Sequence, residues 1–117
     1  MAKIEKILIC DFDAALEIIE NAVLSGSMSA SLEERSDFYD SSSGCRCAVR
    51  VFERYSMMGD NRVSLNVTLF SDSDGVVRMS ACTSGGSKAV FNKINTIGEN
   101  AFLSTLNDRL QRAGLYW

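Results

Sequence analysis

The stretch RVSLNVTLF, residues 62–70, limits the possible folds more than any other part of the chain. Val63, Leu65, Val67 and Leu69 alternate with Ser64, Asn66 and Thr68. That period of two marks a strand with one face on a core and the other on solvent. Such a strand needs neighbours, and the sequence offers four. Residues 76–83 place Val77, Met79 and Ala81 on one face. Residues 45–55 place Cys45, Cys47, Val49, Val51 and Tyr55 on one face and Arg46, Arg50 and Arg54 on the other. Residues 28–38 alternate weakly through Met28, Ala30, Leu32 and Phe38, with Glu34 and Ser36 interrupting. Residues 3–10 read as a first strand around Ile7-Leu8-Ile9.

Register follows from the core pattern. Leu69 and Met79 should share the core face and lie opposite each other, which leaves Ser73-Asp74-Gly75 as a three-residue loop. Such loops favour glycine in the left-handed third position. A two-residue Asp-Gly turn would set Leu69 against polar Ser80 instead.

Two stretches have helical spacing. In residues 13–25, Leu16, Ile19 and Val23 fall on one face, Phe12 leads in, Asp11 or Asp13 is placed to cap, and Gly26 ends the helix. In residues 97–113, Leu103, Leu106 and Leu110 form the stripe, with Phe102 and Ala113 beside it. Thr96 and Glu99 fit a capping box, and Gly114 fits a left-handed end that folds Leu115 back on Leu110. The order is β-α-β-β-β-β-α. Short connections after the first helix imply an antiparallel meander, with both helices on one face: a two-layer α+β domain spanning residues 1–117. The alternative is a curved, helix-grip-like sheet whose C-terminal helix encloses an apolar cavity. Placement of the first strand and sheet curvature separate the two.

Composition narrows the chemistry. The 117 residues contain no histidine, so Ser-His-Asp and Cys-His nucleophiles and histidine metal ligands are excluded. They contain no proline. The net charge of −3 disfavours nucleic acid as a partner. It is uneven: residues 1–40 hold three basic and nine acidic residues. Sheet recognition of RNA would need exposed aromatics such as Phe52 and Phe70, but the Lys/Arg-Gly-Phe pattern is absent. No apolar run approaches the ~18 residues of a membrane span, and no leader pattern opens the chain, so a cytoplasmic protein is expected. Cys10, Cys45, Cys47 and Cys82 fit free thiols there, with no metal site or cofactor expected.

If the helices cover one sheet face, the other carries the candidate site. The Leu69–Met79 register sets Phe70 opposite Arg78 and Thr68 opposite Ser80. Pairing Val51 with Val67 brings Arg50 beside Thr68. The expected surface is therefore a row of Arg50, Thr68 and Ser80 between Phe52 and Phe70, with Arg78 alongside. Arginine forks and hydroxyls suit a carboxylate or phosphate. Two plainer readings compete. Glu33 and Asp37 could pair with Arg50 and Arg46 across strands, or the face could bury Phe52 and Phe70 in a homodimer.

The run Thr83-Ser84-Gly85-Gly86-Ser87-Lys88 has the flavour of a phosphate loop but not its spacing. Ser84, Gly85, Gly86, Ser87 and Lys88 could form a small backbone anion nest; the plain reading is a strand exit. Asp72-x-Asp74-Gly75 is read as a hairpin turn and not a calcium loop, and Ser41-Ser42-Ser43-Gly44 as a loop. Glu33, Glu34, Asp37 and Asp40 read as a solvated edge.

The runs SASLEERSDF, RCAVRVFERYS, NRVSLNVTLF and TSGGSKAVFNKINTIGENAF together resemble a family of small uncharacterised bacterial proteins, a domain of unknown function. The resemblance covers nearly the whole chain. It implies a stand-alone bacterial, cytoplasmic, single-domain protein and carries no assigned activity. The expectation is a non-enzymatic ligand-binding or protein-interaction module, with homodimerisation through the sheet face or a small anionic ligand as its partner. The alternative is an enzyme acting on an anionic small molecule through the arginine face or the 83–88 loop.

Overall fold

The structure, a computed structural model, describes residues 2–26, 29–56, 61–72, 76–85 and 103–112. Strand β1 (Ala2–Leu8) is followed by helix α1 (Phe12–Ser25). Then come β2 (Ser31–Tyr39), β3 (Arg46–Ser56), β4 (Asn61–Ser71) and β5 (Val77–Gly85), and a second helix, α2, over residues 103–112. The β-α-β-β-β-β-α order and the α+β class are as expected. The strands form one open antiparallel sheet in the order β1-β5-β4-β3-β2. The first strand thus docks beside the last, completing the meander at its far edge.

The inner face carries the core. Val63, Leu65, Val67 and Leu69 of β4 and Val77, Met79 and Ala81 of β5 are buried. Phe12, Ala15, Ile19, Ala22 and Val23 of α1 and Leu103, Leu106 and Leu110 of α2 pack into the same cluster. Each large side chain of this kind contributes about 1.5–3 kcal/mol on leaving water. The sheet is not closed, and Leu103, Leu106 and Leu110 of α2 are buried in its core cluster. Leu69 lies opposite Met79, the register read from the sequence. The loop Ser73-Asp74-Gly75, the Thr96–Glu99 capping box, and Gly114 with Leu115 lie outside the described residues.

Three local expectations need correction. In β1, Leu8 alone of the Ile7-Leu8-Ile9 trio is buried, because alternation turns Ile7 to the outer face and the strand ends at Leu8; Ile7 and Ile9 are exposed. In β2, the register shifts between Leu32 and Glu34. The Ser31 hydroxyl bonds the Glu33 carboxylate there. This bulge inverts the alternation, so Leu32 packs against the core while Phe38 points outward, 64% exposed. Asp11 occupies the N-cap position of α1 with φ −64° and ψ 146°, but its side chain makes no capping hydrogen bond. Its carbonyl accepts from the Ala15 N–H at 2.9 Å.

Two glycines are present for different reasons. Gly26 at the end of α1 is right-handed (φ −78°), so it is not the left-handed stop that its position suggests. A Cβ there would lie 2.8 Å from Cγ2 of Thr105 and 2.9 Å from the Ala22 carbonyl oxygen. The glycine lets the two helices approach. Gly44 has φ 77° and open space around its Cα. It closes the β2–β3 connection, where the Gly44 N–H donates to the Asp40 carbonyl at 2.8 Å and the Asp40 N–H to the Cys45 carbonyl at 2.9 Å. The hydroxyls of Ser43 (2.6 Å) and Ser42 (3.0 Å) donate to the Asp40 carboxylate and hold its pKa below the usual aspartate value. Gly44→Ala should lower stability by about 1–2 kcal/mol through backbone strain alone, with Gly44→Asn costing clearly less. Gly26→Ala should cost about 1–3 kcal/mol through overpacking. Urea denaturation of the three variants checks the difference.

Candidate functional site

The four strands that follow α1 decide what each sheet face presents, and β3 decides it against expectation. Arg50 pairs with Val67, Phe52 with Leu65 and Ala48 with Leu69, one residue away from the expected Val51–Val67 pairing. A one-residue shift exchanges the faces of a strand. Arg46, Ala48, Arg50, Phe52 and Arg54 therefore lie on the inner face, where Phe52 and Arg50 are buried. Cys47, Val49, Val51 and Tyr55 lie on the outer face, which neither helix covers.

Arg50 is accommodated under the helix layer by an ion-pair cluster. Its Nε donates to Oε1 of Glu20 on α1 at 3.2 Å and its Nη2 to Oδ1 of Asp37 on β2 at 3.0 Å. Its Nη1 donates to the backbone carbonyls of Val49 (3.0 Å) and Ser36 (3.3 Å). Arg35 lies 3.8 Å from the same Glu20 oxygen. Nearby, Arg46 pairs with Asp13 at 2.8 Å and stacks over the Phe12 ring at 4.2 Å. The Arg46 hydrogen bond and charge hold the Asp13 carboxyl below the usual aspartate range. Burial pushes the pKa of Arg54 down.

Instead of the expected cross-strand pairs, Glu33 with Arg50 and Asp37 with Arg46, Arg50 pairs with Asp37 on the helix-covered side and Arg46 with Asp13 of α1. Arg50 and Phe52 are not part of an open site. Truncating one partner of a buried pair leaves the others uncompensated, at about 3–5 kcal/mol. Arg50→Ala should therefore lose about 3 kcal/mol in denaturant unfolding. An unchanged midpoint would show the cluster to be structurally idle.

The other four members of the expected site do meet. Thr68 lies opposite Ser80, and Phe70 opposite Arg78, all on the outer face. With Glu5 and Ile7 of β1 they line a shallow depression of about 480 Å³. The wider setting is a row that crosses every strand: Ile7, Arg78, Phe70, Cys47 and Phe38 are successive cross-strand partners. Its neighbours are the row Glu5, Ser80, Thr68, Val49, Ser36 and the row Lys3, Cys82, Asn66, Val51, Glu34. Ile7, Phe70 and Phe38 are 59%, 39% and 64% exposed. Ile7, Phe38 and Cys47 were not foreseen as site residues. The Lys-Ile-Glu-Lys-Ile alternation of residues 3–7 signals Ile7, but Phe38 turns outward only because of the bulge.

Chemically the face is apolar and hydroxylated more than cationic. Arg78 lies 3.5 Å from Asp72, and Arg62 lies 3.0 Å from Glu53 and over the Tyr55 ring. The nest residues Ser84 and Gly85 belong to β5, opposite Ser64 and Val63, and the Thr83 hydroxyl donates to the Ala2 carbonyl at 3.4 Å. Strand geometry turns successive N–H groups to opposite sides, so Ser84 and Gly85 do not converge on an anion. Gly86, Ser87 and Lys88 lie outside the described residues. Cys10, Cys45, Cys47 and Cys82 are free, half-buried thiols. Cys82 shares the outer face with Cys47, two strands and two rows away. No cluster of three or more metal-ligating side chains occurs among the described residues. No described helix is long and apolar enough to cross a membrane.

No curated protein and no solved structure matches the chain. A family model does, over residues 1–114, and the chain belongs to that family, a family of unknown function (DUF6054).

Proposed function

We propose that this protein is a non-enzymatic, cytoplasmic interaction module that binds another protein surface through the outer face of its sheet. One observation carries the reading: a row that crosses the sheet from edge to edge exposes three large apolar side chains, Ile7, Phe70 and Phe38, with the Asp72-paired Arg78 and Cys47 between them. An apolar band flanked by hydroxyls and charges has the anatomy of a recognition surface, with an aromatic centre and a polar rim. The paired arginines argue against chemistry on an anion, and without histidine the face has no general base of ordinary pKa near neutrality. Site-specific incorporation of a photo-crosslinking phenylalanine at Phe70, in the cells that make the protein, tests the reading. The expected result is a covalent protein adduct from position 70 and none from exposed Asp108 on α2. Equal labelling at both positions, or none, rejects it.

The depression beside Phe70 favours one second reading. Thr68 and Ser80 offer two hydroxyls against the apolar wall of Ile7 and Phe70, a combination that suits a small ligand. Glu5 and the Asp72-paired Arg78 make that ligand a neutral one. A thermal-shift screen separates the cases, because a ligand at 100 times its Kd adds about 2.7 kcal/mol. Stabilisation by neutral metabolites that is lost in Thr68→Val supports the pocket. Stabilisation by phosphorylated or carboxylated ones alone would restore the anion reading.

A further inference from the structure

We propose that the occupant of the outer face is a second copy of this chain. The two copies are related by a two-fold axis lying in the interface and running nearly along β4. The proposal rests on the reading of this face as an interaction surface and specifies its partner.

The argument is one of self-complementarity. In the order β1-β5-β4-β3-β2, β4 is central. A two-fold along β4 exchanges β5 with β3 and β1 with β2 while leaving every residue in its own row. In the first row Phe70 then meets Phe70 of the second copy, and Ile7 meets Phe38 of the second copy. In the next row Glu5 meets the Ser36 hydroxyl. In the third row Lys3 meets Glu34, and the two-fold makes that ion pair twice. Arg78 keeps Asp72 of its own chain as counter-charge when water leaves. An in-plane two-fold across the strands through Thr68 gives the opposite result. It sets Phe70 on Asn66, Phe38 on Glu34 and Ile7 on Lys3, each apolar side chain against a polar or charged one. A two-fold across the strands through the Phe70 row keeps Ile7 on Ile7 and Phe38 on Phe38 but leaves Lys3 and Glu34 apart, so the Lys3–Glu34 pair, and not the apolar row, selects the axis along β4. Aligned sheets cross at about 30°, which tilts the axis slightly from β4 and keeps the central rows in contact.

Size is adequate. Five strands spaced by about 4.8 Å make a face roughly 24 Å wide, and strands of about nine residues make it roughly 30 Å long. That is the scale of a standard interface, about 800 Å² per subunit.

Lys3 and Glu34 sit on opposite edge strands, about 19 Å apart within one chain. Within its own chain Lys3 pairs with Glu5 at 2.6 Å; it can reach Glu34 only between copies, and this gives the test. Sedimentation equilibrium of the purified full chain should show a reversible dimer. Lys3→Glu and Glu34→Lys should each weaken it on the order of tenfold, because the symmetry repeats each lost contact. The double variant should recover most of the affinity. Phe70→Asp should sediment as a monomer with unchanged circular dichroism, since Phe70 lies outside the core, and its melting should no longer depend on protein concentration. A monomer at every concentration overturns the proposal. So does a dimer indifferent to Phe70→Asp, or a double variant weaker than either single one. A monomeric chain whose position-70 crosslinker captures a different protein overturns the dimer and leaves the interaction surface standing. A monomer with no position-70 adduct removes both.

Discussion

The guanidinium of Arg50 sets the parity of the sheet. A strand that could turn either side inward has to choose, and the apolar content of β3 does not choose for it. Phe52 and Ala48 on one side weigh about as much as Val49 and Val51 on the other, a few kcal/mol each way. The difference lies in the charged residue carried along. With Arg50 inward, Glu20 from the helix, Asp37 from the neighbouring strand and two backbone carbonyls receive it. A buried ion pair of this kind adds little net stability over an apolar substitute, but it penalises every arrangement in which one partner is buried alone. Arg50 opposite Val67 then fixes Phe52 on Leu65 and Ala48 on Leu69. The residues left for the outer face follow from that choice.

What could be read from the sequence divides along the same line. The β4–β5 hairpin was legible, because Val63 to Leu69 and Val77 to Ala81 each alternate unambiguously and only one register matches them. The stripes of α1 and α2 were legible for the same reason: Ile19, Val23, Leu103, Leu106 and Leu110 are buried as spaced. β3 was not, since period two alone carries no sign when both sides hold apolar residues. The clue lay elsewhere, in Glu20 on the flank of α1, a carboxylate placed to accept an inward arginine. β2 failed for a different reason. A bulge at Glu33 adds a residue that no periodicity reveals, and everything beyond it changes face. Four of the six residues expected together on the sheet face, Thr68, Phe70, Arg78 and Ser80, share the outer face because they belong to the legible hairpin. Arg50 and Phe52 were lost with the parity of β3.

The exchange of faces also changes the character of the surface. With its arginines turned inward, β3 gives the outer face thiol, methyl and phenol groups, so that face is less cationic than expected, with Arg78 of β5 set among its exposed apolar side chains. The acids that dominate the first forty residues divide in the same way. Asp13, Glu20 and Asp37 serve the inner cluster, while Glu5 and Glu34 mark the rim of the outer face. Three of the nine acids of residues 1–40, Asp13, Glu20 and Asp37, thus pair with arginines later in the chain.

The docking of β1 beside β5 has a consequence for how the molecule comes into being. Ala2 pairs with Thr83, so the first strand made finds its neighbour only after almost all of the sheet has been synthesised. At about 5–20 residues per second that interval lasts several seconds. During it the β2–β4 meander can assemble from local contacts, whereas β1 and the helix behind it wait for a closure of long sequence separation, the slow kind. The inner face of β4 lacks its full cover until that step, so the last strand completes both the sheet and the roof over it. Removing β1 would expose the far side of β5 as a fresh edge and uncover the core beside Leu8.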